Sequence, residues 1–185
     1  MIKNIYDLKS YISADFQSSG KRLSLRNCIT NPVLRFTLVM RLLEYCLNTR
    51  KSIVIYIPLL LWFRRLSYKL GFSLGPNVFG PGVAIIHHGL LIINPATRIG
   101  KNCRIHMGVH IGGSGKFVDP SEVDHHCPRI GDNVYIGPGA KIYGPVTIGS
   151  NCTIGANSVV NKSFEDPGLL IAGIPARQLV ASRRI

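Results

Sequence analysis

Aliphatic residues recur at every sixth position through most of the second half of the sequence. The in-phase positions are Ile99, Ile105, Ile111, Ile130, Ile136, Ile142, Ile148, Ile154 and Val160. A turn-forming residue usually follows each of them, and a small or β-branched residue usually stands two positions before it. A period of six is neither the helical period nor the alternation of a simple strand. Three such hexads can form one triangular coil, so the pattern predicts a parallel β-helix with the aliphatic residues inside.

Two irregularities interrupt this period. The spacing between Leu91 and Ile99 is eight residues, and that between Ile111 and Ile130 is 19. Stacked coils tolerate insertions at their corners, and such insertions often carry function. The longer gap therefore predicts a loop over residues 113–127, extruded from a β-helix domain that spans residues 72–185. The Pro and Gly residues after Ile171 predict a cap on the last coil.

Residues 1–71 are predicted to be helical. Asn31 and Pro32 suit the N-cap and first position of a helix over 33–48, where apolar residues recur at helical spacing. A second helix is predicted over 52–70, kinked near Pro58 and ended by Gly71. The predicted fold class is thus mainly β, a parallel β-helix preceded by a small α-helical N-terminal region.

The most apolar run of the sequence is 53–63, IVIYIPLLLWF. Its 11 residues are too few to span a bilayer, which takes about 20 apolar residues. Arg50 and Lys51 precede the run, and Arg64 and Arg65 follow it. This arrangement suits peripheral contact of 50–65 with an anionic membrane surface. A helix packed on the β-helix or in an oligomer interface fits the same pattern.

Charge and cysteine content indicate which kinds of partner and which cellular compartment to expect. The net charge is +13, and residues 1–70 hold 12 Lys or Arg against three acidic residues. This excess predicts an anionic partner or a solvated positive face. Nucleic acid is not expected, since no zinc-finger or RRM signature is present. Five widely spaced cysteines and no apolar signal segment in the first 20 residues predict a cytoplasmic protein, with the inner membrane face as a peripheral site.

All six histidines lie in or beside the coil region: His87, His88, His106, His110, His125 and His126. Histidine is the usual general base near neutral pH, so each of them is a candidate for proton transfer. In a second interpretation, 124–127 (DHHC) binds a metal, but four adjacent residues cannot all face one ion, so no metal is expected. In a third, the histidines are ordinary surface groups, which is favoured for His106 and His110.

The segment 112–116, GGSGK, superficially resembles a phosphate loop. It lacks the GxxxxGK[ST] spacing, which argues against nucleotide triphosphate binding. Its amides are candidates for stabilising an oxyanion, and Lys116 for binding a phosphate group. A flexible hairpin base is the alternative.

Five stretches together resemble a known family. They are 79–94 (FGPGVAIIHHGLLIIN), 98–103 (RIGKNC), 109–116 (VHIGGSGK), 128–141 (PRIGDNVYIGPGAK) and 172–177 (AGIPAR). Here the chain resembles the hexapeptide-repeat acetyltransferases of the bacterial serine O-acetyltransferase-like branch, which includes surface-polysaccharide O-acetyltransferases. The helical N-terminus is similar to a shortened form of the helical domain of that group.

The resemblance implies a left-handed coil and a homotrimer that binds acetyl-CoA between subunits. It places the catalytic base on His87. It implies acetyl-CoA contacts at Gly113, Ser114, Gly115, Lys116, Ala140, Ala172, Gly173 and Arg177. Further candidates for catalysis or acceptor binding are His88, His126, Cys127 and Asp124.

Two departures from the family pattern concern the acceptor. The aspartate that orients the base in serine acetyltransferases falls on Phe72, and the histidine before proline in the loop becomes Cys127. Both groups help to hold the amino acid acceptor in that family. The expected function is therefore acetyl-CoA-dependent O-acetylation of a sugar hydroxyl in a surface polysaccharide or its precursor. O-acetylation of L-serine is the alternative, and a non-catalytic or metal-binding β-helix is a further one.

Overall fold

The computed structural model describes residues 1–114 and 126–179, except for the side chain of Leu25. The helices are α1 (Ile5–Ser18), α2 (Leu25–Thr30), α3 (Pro32–Asn48) and α4 (Ile53–Leu70). The strands are β1 (Phe72–Ser73), β2 (Ala84–Ile85), β3 (Leu91–Ile93), β4 (Arg98–Ile99), β5 (Arg104–Ile105), β6 (His110–Gly112), β7 (Arg129–Ile130), β8 (Tyr135–Ile136), β9 (Lys141–Tyr143), β10 (Thr147–Ile148), β11 (Thr153–Ile154), β12 (Val159–Val160), β13 (Leu170–Gly173) and β14 (Ala176–Leu179).

The helix ends follow local side-chain chemistry. Asn31 caps α3, because its side chain accepts hydrogen bonds from the amides of Val33 and Leu34. Gly71 ends α4 in the left-handed conformation, with φ of 75°. The predicted cap at Asn31 and the predicted helix end at Gly71 are therefore confirmed, while the two helices start one residue away from the predicted 33 and 52. Pro58 lies inside α4, and a kink there stays a prediction.

The strands form three sheets along the sides of a prism. Sheet A contains β1, β3, β6, β9 and β12, sheet B contains β4, β7 and β10, and sheet C contains β2, β5, β8, β11, β13 and β14. Neighbouring strands are parallel except for β13 and β14, whose antiparallel hairpin caps the last coil. The chain visits C, A and B in turn, which confirms the predicted parallel β-helix. Its left-handed sense stays a prediction from the resemblance.

The strand register corrects the position of the first irregularity. In sheet A, Ile93 pairs with Ile111, and Ile111 with Ile142. The inward series therefore runs through Ile93, six residues before Ile99, and the placement of the break between Leu91 and Ile99 was wrong. Leu91 and Ile93 are both buried, so hydrophobicity alone did not distinguish them. The two extra residues fall between Ile85 and Ile93, at the corner that carries His87.

Asparagines form a stacked corner of the coil. Asn102, Asn133 and Asn151 adopt positive φ of 56°, 55° and 61°, a conformation that Asn tolerates better than most residues. The side-chain amide of Asn102 donates to Asn133 (3.2 Å), and that of Asn133 donates to Asn151 (3.1 Å). These bonds join consecutive coils, which explains why Asn recurs at this corner.

The helical region and the β-helix share one hydrophobic core. Phe36 of α3 stacks on Phe63 of α4 and meets the ring of Phe72 edge-on, with ring centroids 5.1 and 5.0 Å apart. α4 ends at Leu70 and β1 begins at Phe72, and the division into domains at this point stays a prediction. Within the described ranges, no helix is both long and apolar enough to cross a membrane.

A buried ion cluster of Arg41, Asp15 and Glu44 fastens α1 and α3 to the first coil. The Arg41 guanidinium lies 2.8 Å from each carboxylate and donates to the carbonyls of Phe79 and Gly80. In the other direction, Asp15 accepts the amides of Gly82 and Val83, and Glu44 accepts that of Asn77. Burial alone would lower the pKa of Arg41, but Glu44 and Asp15 raise it above its ordinary value. The cluster thus holds the backbone that leads into β2 and His87.

Candidate active site

His87 lies at the corner where the chain passes from sheet C to sheet A, after β2. We call the column of such corners, which follow β2, β5, β8 and β11 and end at the β13–β14 hairpin, the C–A edge. The other C–A corners have six residues between inward aliphatic positions, as from Ile105 to Ile111, whereas this one has eight. His87 and His88 occupy the extended corner, and both are exposed. An enlarged corner is a suitable place to present a base to a substrate.

A cleft of about 340 Å³ adjoins this corner. Its lining residues are Lys21, Asn27, Thr30, Asn31, Pro32, Val33, Ile86, His87 and His88. Most of the polar ones come from the helical region, near α2 and the start of α3. The sequence did not assign these residues to a site, because no motif links Lys21 or Asn27 to a histidine some sixty residues away. Only Asn31 had a recognisable signal, as a helix cap.

His106 lies one coil below His87 on the same edge. The two imidazole centroids are 6.2 Å apart, and the ring of Tyr135 is 5.1 Å from that of His106. Burial, helped by the charges of His87 and Arg104, lowers the pKa of His106 below its ordinary value. His106 therefore favours its neutral form at neutral pH, so it adds no positive charge beside His87.

His106 and His110 are less exposed than the surface interpretation expected. Both are half-buried. His110 follows Ile92 and precedes Lys141 in the ladder of sheet A, and its Nε2 is buried without a hydrogen-bond partner within the described part of the chain. Burial and, secondarily, Lys141 lower its pKa. The sequence does not show that Ile92 and Lys141 become the sheet neighbours of His110.

The glycine segment lies at a different edge, where the chain leaves sheet A for sheet B. Gly112 packs flat on Tyr143, since a Cβ there would come 2.9 Å from the ring. Gly113 lies against the His126 carbonyl and the Cys127 sulfur, which a Cβ would approach to 3.1 and 3.3 Å. The hydroxyl of Ser114 is buried without a hydrogen-bond partner in the described ranges. The structure thus brings Gly113, His126 and Cys127 together, while Gly115, Lys116 and Asp124 lie outside the described residues.

The remaining predicted cofactor contacts lie on or near the C–A edge. Ala140 is in the core just before β9, and its carbonyl accepts the amide of His110 at 3.0 Å. Ala172 and Gly173 end β13, and Arg177 pairs with Ala172 across the β13–β14 hairpin. Arg177 and Gly173 are exposed. His87 and the hairpin are four coils apart along this edge, a distance of roughly 19 Å at the usual strand spacing.

The candidate residues therefore divide between two edges of the prism. His87, His88, Ala172 and Gly173 lie on the C–A edge, whereas Gly113, His126 and Cys127 lie between sheets A and B. A single chain presents the predicted base and the predicted oxyanion donors on different corners. Packing of a second copy against the first is one way to bring the two sets together.

Most cysteines are buried, and the described residues contain no cluster of metal ligands. The five cysteines are free thiols, four of them buried, and burial raises the pKa of Cys103 to about 11, so this thiol is a poor nucleophile. Within 1–114 and 126–179, no three His, Cys, Asp or Glu side chains are grouped to hold a metal ion. The metal interpretation of 124–127 lies largely outside those ranges.

Comparison with known proteins agrees with the repeat and the fold. Residues 127–162 match the family model "Bacterial transferase hexapeptide (six repeats)". Serine acetyltransferase from Staphylococcus xylosus is 39% identical over 115 residues, which are 62% of this chain and 48% of that protein. Soybean serine acetyltransferase complexed with serine superposes with a TM-score of 0.74 at 28% identity, covering 94% of this chain and 70% of that one. The serine acetyltransferase of Neisseria gonorrhoeae superposes with a TM-score of 0.73 at 27% identity, covering 96% of this chain and 67% of that one. The chain spans about half the length of the curated relatives that it matches.

Proposed function

We propose that this chain, a hexapeptide-repeat protein similar in sequence and fold to serine acetyltransferases, is an acetyl-CoA-dependent O-acetyltransferase. The observation that carries the proposal is the exposed His87 on an enlarged corner beside a polar cleft, in a chain 39% identical to a serine acetyltransferase over 115 residues. Acetyl-CoA is a co-substrate, and no metal takes part in the proposed reaction.

In the proposed reaction, His87 takes the proton of the acceptor hydroxyl as the acceptor oxygen attacks the carbonyl carbon of the acetyl thioester. The carbon–sulfur bond then breaks, and the acetyl group stays on the acceptor as an ester. The CoA sulfur leaves with the proton that His87 had taken. Amides near Gly113 stabilise the negative charge that develops on the carbonyl oxygen.

The proposed assembly is a homotrimer with acetyl-CoA in the grooves between subunits. The division of the candidate residues between two edges supports it, because a site between copies joins the C–A edge of one subunit to the Gly113 region of another. Ala172, Gly173 and Arg177 lie farther along the edge of His87, which suits an extended co-substrate. Gly113 and Ser114, together with Gly115 and Lys116 outside the described residues, would meet it from the other side.

The relatives favour L-serine as the acceptor over the sugar hydroxyl that the two sequence departures suggested. Lys21 fits this acceptor, because its ammonium group is a suitable partner for the serine carboxylate in the cleft beside His87. His88, His126 and Cys127 are further candidates for acceptor contacts, as is Asp124.

A sugar hydroxyl is the second candidate, and the cleft itself supports it. Among the described residues, no carboxylate lines the cleft, although an amino acid carries an ammonium group that needs an anionic partner. Phe72, at the position of the family's orienting aspartate, is buried in the core. Asparagine and threonine side chains suit the hydroxyl groups of a sugar.

Acceptor identity is decided by measuring thiol release from acetyl-CoA with L-serine and with a panel of sugars. We expect saturable release at millimolar L-serine, O-acetylserine in the mass spectrum, and a severalfold rise in KM for serine in Lys21→Gln. Lys101→Gln, which removes an exposed cation on another corner, is the control. Release with sugars alone would establish the second candidate. Failure to bind acetyl-CoA in calorimetry would leave a non-catalytic β-helix.

Because His106 favours its neutral form, a permanent charge at this position tests whether the group that titrates in the kcat/KM profile lies beside it. His106→Lys places a permanent cation near His87, where it disfavours protonation of the base. The acid limb of the kcat/KM profile should therefore move to lower pH, by about 0.5 unit for a partly screened charge at this distance. Thr147→Lys adds the same charge on sheet B and should leave the profile in place. An unmoved acid limb in both variants would mean that the titrating group is not beside residue 106.

A further inference from the structure

α4 has an exposed apolar surface. Its inner side packs through Phe63, Leu66 and Leu70, which are buried in the core. The exposed apolar residues of its first three turns are Ile53, Val54, Ile55, Ile57, Leu61 and Trp62. We call these six residues the α4 apolar face. An exposed cluster of this size marks an interaction surface.

Basic residues surround the α4 apolar face. Arg50 and Lys51 lie before the helix, and Arg64, Arg65 and Lys69 follow the face along it, all of them exposed. In the sequence, no Asp or Glu occurs between Glu44 and Asp119. The sequence on both sides of α4 is therefore positive, and its exposed cations attract an anionic partner and repel a cationic one.

We infer that the α4 apolar face docks on an anionic lipid bilayer, with the helix lying in the plane of the interface. The apolar side chains enter the boundary between head groups and acyl chains, while the bracketing cations meet lipid phosphates. The combination of charge and hydrophobicity favours this occupant over a second copy of the chain. A second copy would bring another set of cations against the first, and like charges disfavour that contact.

The structure also identifies which substitutions test the surface without disturbing the fold. Leu59 and Leu60 are partly buried against the core, so a polar residue there would weaken packing. Leu61 is 59% exposed and Trp62 is 46% exposed. Trp62 is the single tryptophan of the sequence, and it reports directly on the environment of the face.

The test mixes the full chain with vesicles of phosphatidylcholine alone or with a quarter phosphatidylglycerol. We expect co-sedimentation with the anionic vesicles and a blue shift of Trp62 emission as the ring leaves water. Leu61→Asp should bind at least tenfold more weakly, because it places a charge in the apolar contact. The double variant R64Q/R65Q should lose roughly fivefold for each cation removed, and high salt should reduce binding by the parent protein.

Tyr6→Asp is the matched control, since it places the same charge on an exposed aromatic position of α1 and should bind like the parent. Circular dichroism and unfolding by urea establish that each variant is folded. Equal binding by Leu61→Asp and the parent, or no binding to anionic vesicles, would overturn the inference. A blue shift that grows with protein concentration without lipid, together with a larger mass in analytical ultracentrifugation, would assign the face to a second copy instead.

Discussion

Arg41→Ala is expected to lower the free energy of unfolding by about 3–5 kcal/mol, the largest loss that we predict for a single substitution. The side chain of Arg41 is wholly buried and Asp15 and Glu44 are 1% exposed. Removal of the guanidinium takes a donor from two backbone carbonyls and leaves the two buried carboxylates without a cation, although they keep their backbone amide donors. Burial already raises the pKa of Asp15, against the opposing effects of Arg41 and the two amides, so loss of the cation should favour its protonated form further.

The loss is measured by urea unfolding at one fixed protein concentration, followed by circular dichroism. Lys101→Ala is the control, because it also removes a cation that pairs with a carboxylate, here Asp132 at 3.6 Å on the surface. An exposed pair contributes little, so Lys101→Ala should change stability by no more than about 0.5 kcal/mol. Similar losses in both variants would contradict the role assigned to the buried cluster.

Replacement of all three charged residues by apolar ones separates two explanations. If the cluster served only to neutralise its own charges, the variant D15L/R41M/E44L would regain most of the lost stability. We expect it to remain destabilised, because the cluster also satisfies the amides of Asn77, Gly82 and Val83 and the carbonyls of Phe79 and Gly80. Recovery to the parent's stability would refute the backbone-clamp role.

His87→Ala is expected to reduce kcat by about 10²–10⁴-fold, the usual contribution of a general base. Affinity for CoA, measured by calorimetry, should stay within a few-fold of the parent, because the proposed role of His87 is proton transfer. The stability of the variant should also be unchanged, since His87 is exposed and surface substitutions have small effects.

His88→Ala is the matched control for this assignment. The two histidines are adjacent on the same enlarged corner and are both exposed, so the variants disturb the local structure to a similar degree. We expect His88→Ala to keep at least a tenth of the parent's turnover. If only His88→Ala lost turnover, His88 would be the general base. Near-normal turnover in His87→Ala would contradict the proposed role of His87.

The coil and the ends of α3 and α4 were predictable because they depend on residues close together in the sequence, whereas most of the predicted loop, 113–127, lies outside the described residues. Each hexad carries its inward aliphatic residue and its turn former within six positions, and Asn31 and Gly71 act on their own helix ends. The first irregularity was misplaced because Leu91 and Ile93 are both apolar and both point inward. Only the pairing of Ile93 with Ile111 moved the extra residues to the corner of His87.

The acceptor side of the candidate site was much harder to predict. Lys21, Asn27 and Asn31 reach the corner of His87 only because α2 and α3 fold back on the first coil. Nothing in the sequence distinguishes His106 from an ordinary surface residue. In the structure, its ring lies beside those of His87 and Tyr135 on neighbouring coils. The two sequence departures pointed to a sugar acceptor, and the choice between a sugar and serine stays a proposal.

For α4, the sequence established an apolar segment with basic residues at both ends, too short to cross a bilayer. It did not establish which side of the helix would be covered, since apolar residues lie all around its first three turns. The packing of Phe63, Leu66 and Leu70 against the core selects the inner side and leaves Leu61 and Trp62 outside. In the same way, the period of six specifies a coil from neighbouring residues alone. The burial of Arg41 and the setting of His87 arise from contacts between segments distant in the chain, and those contacts exist only once the helices have packed on the coil.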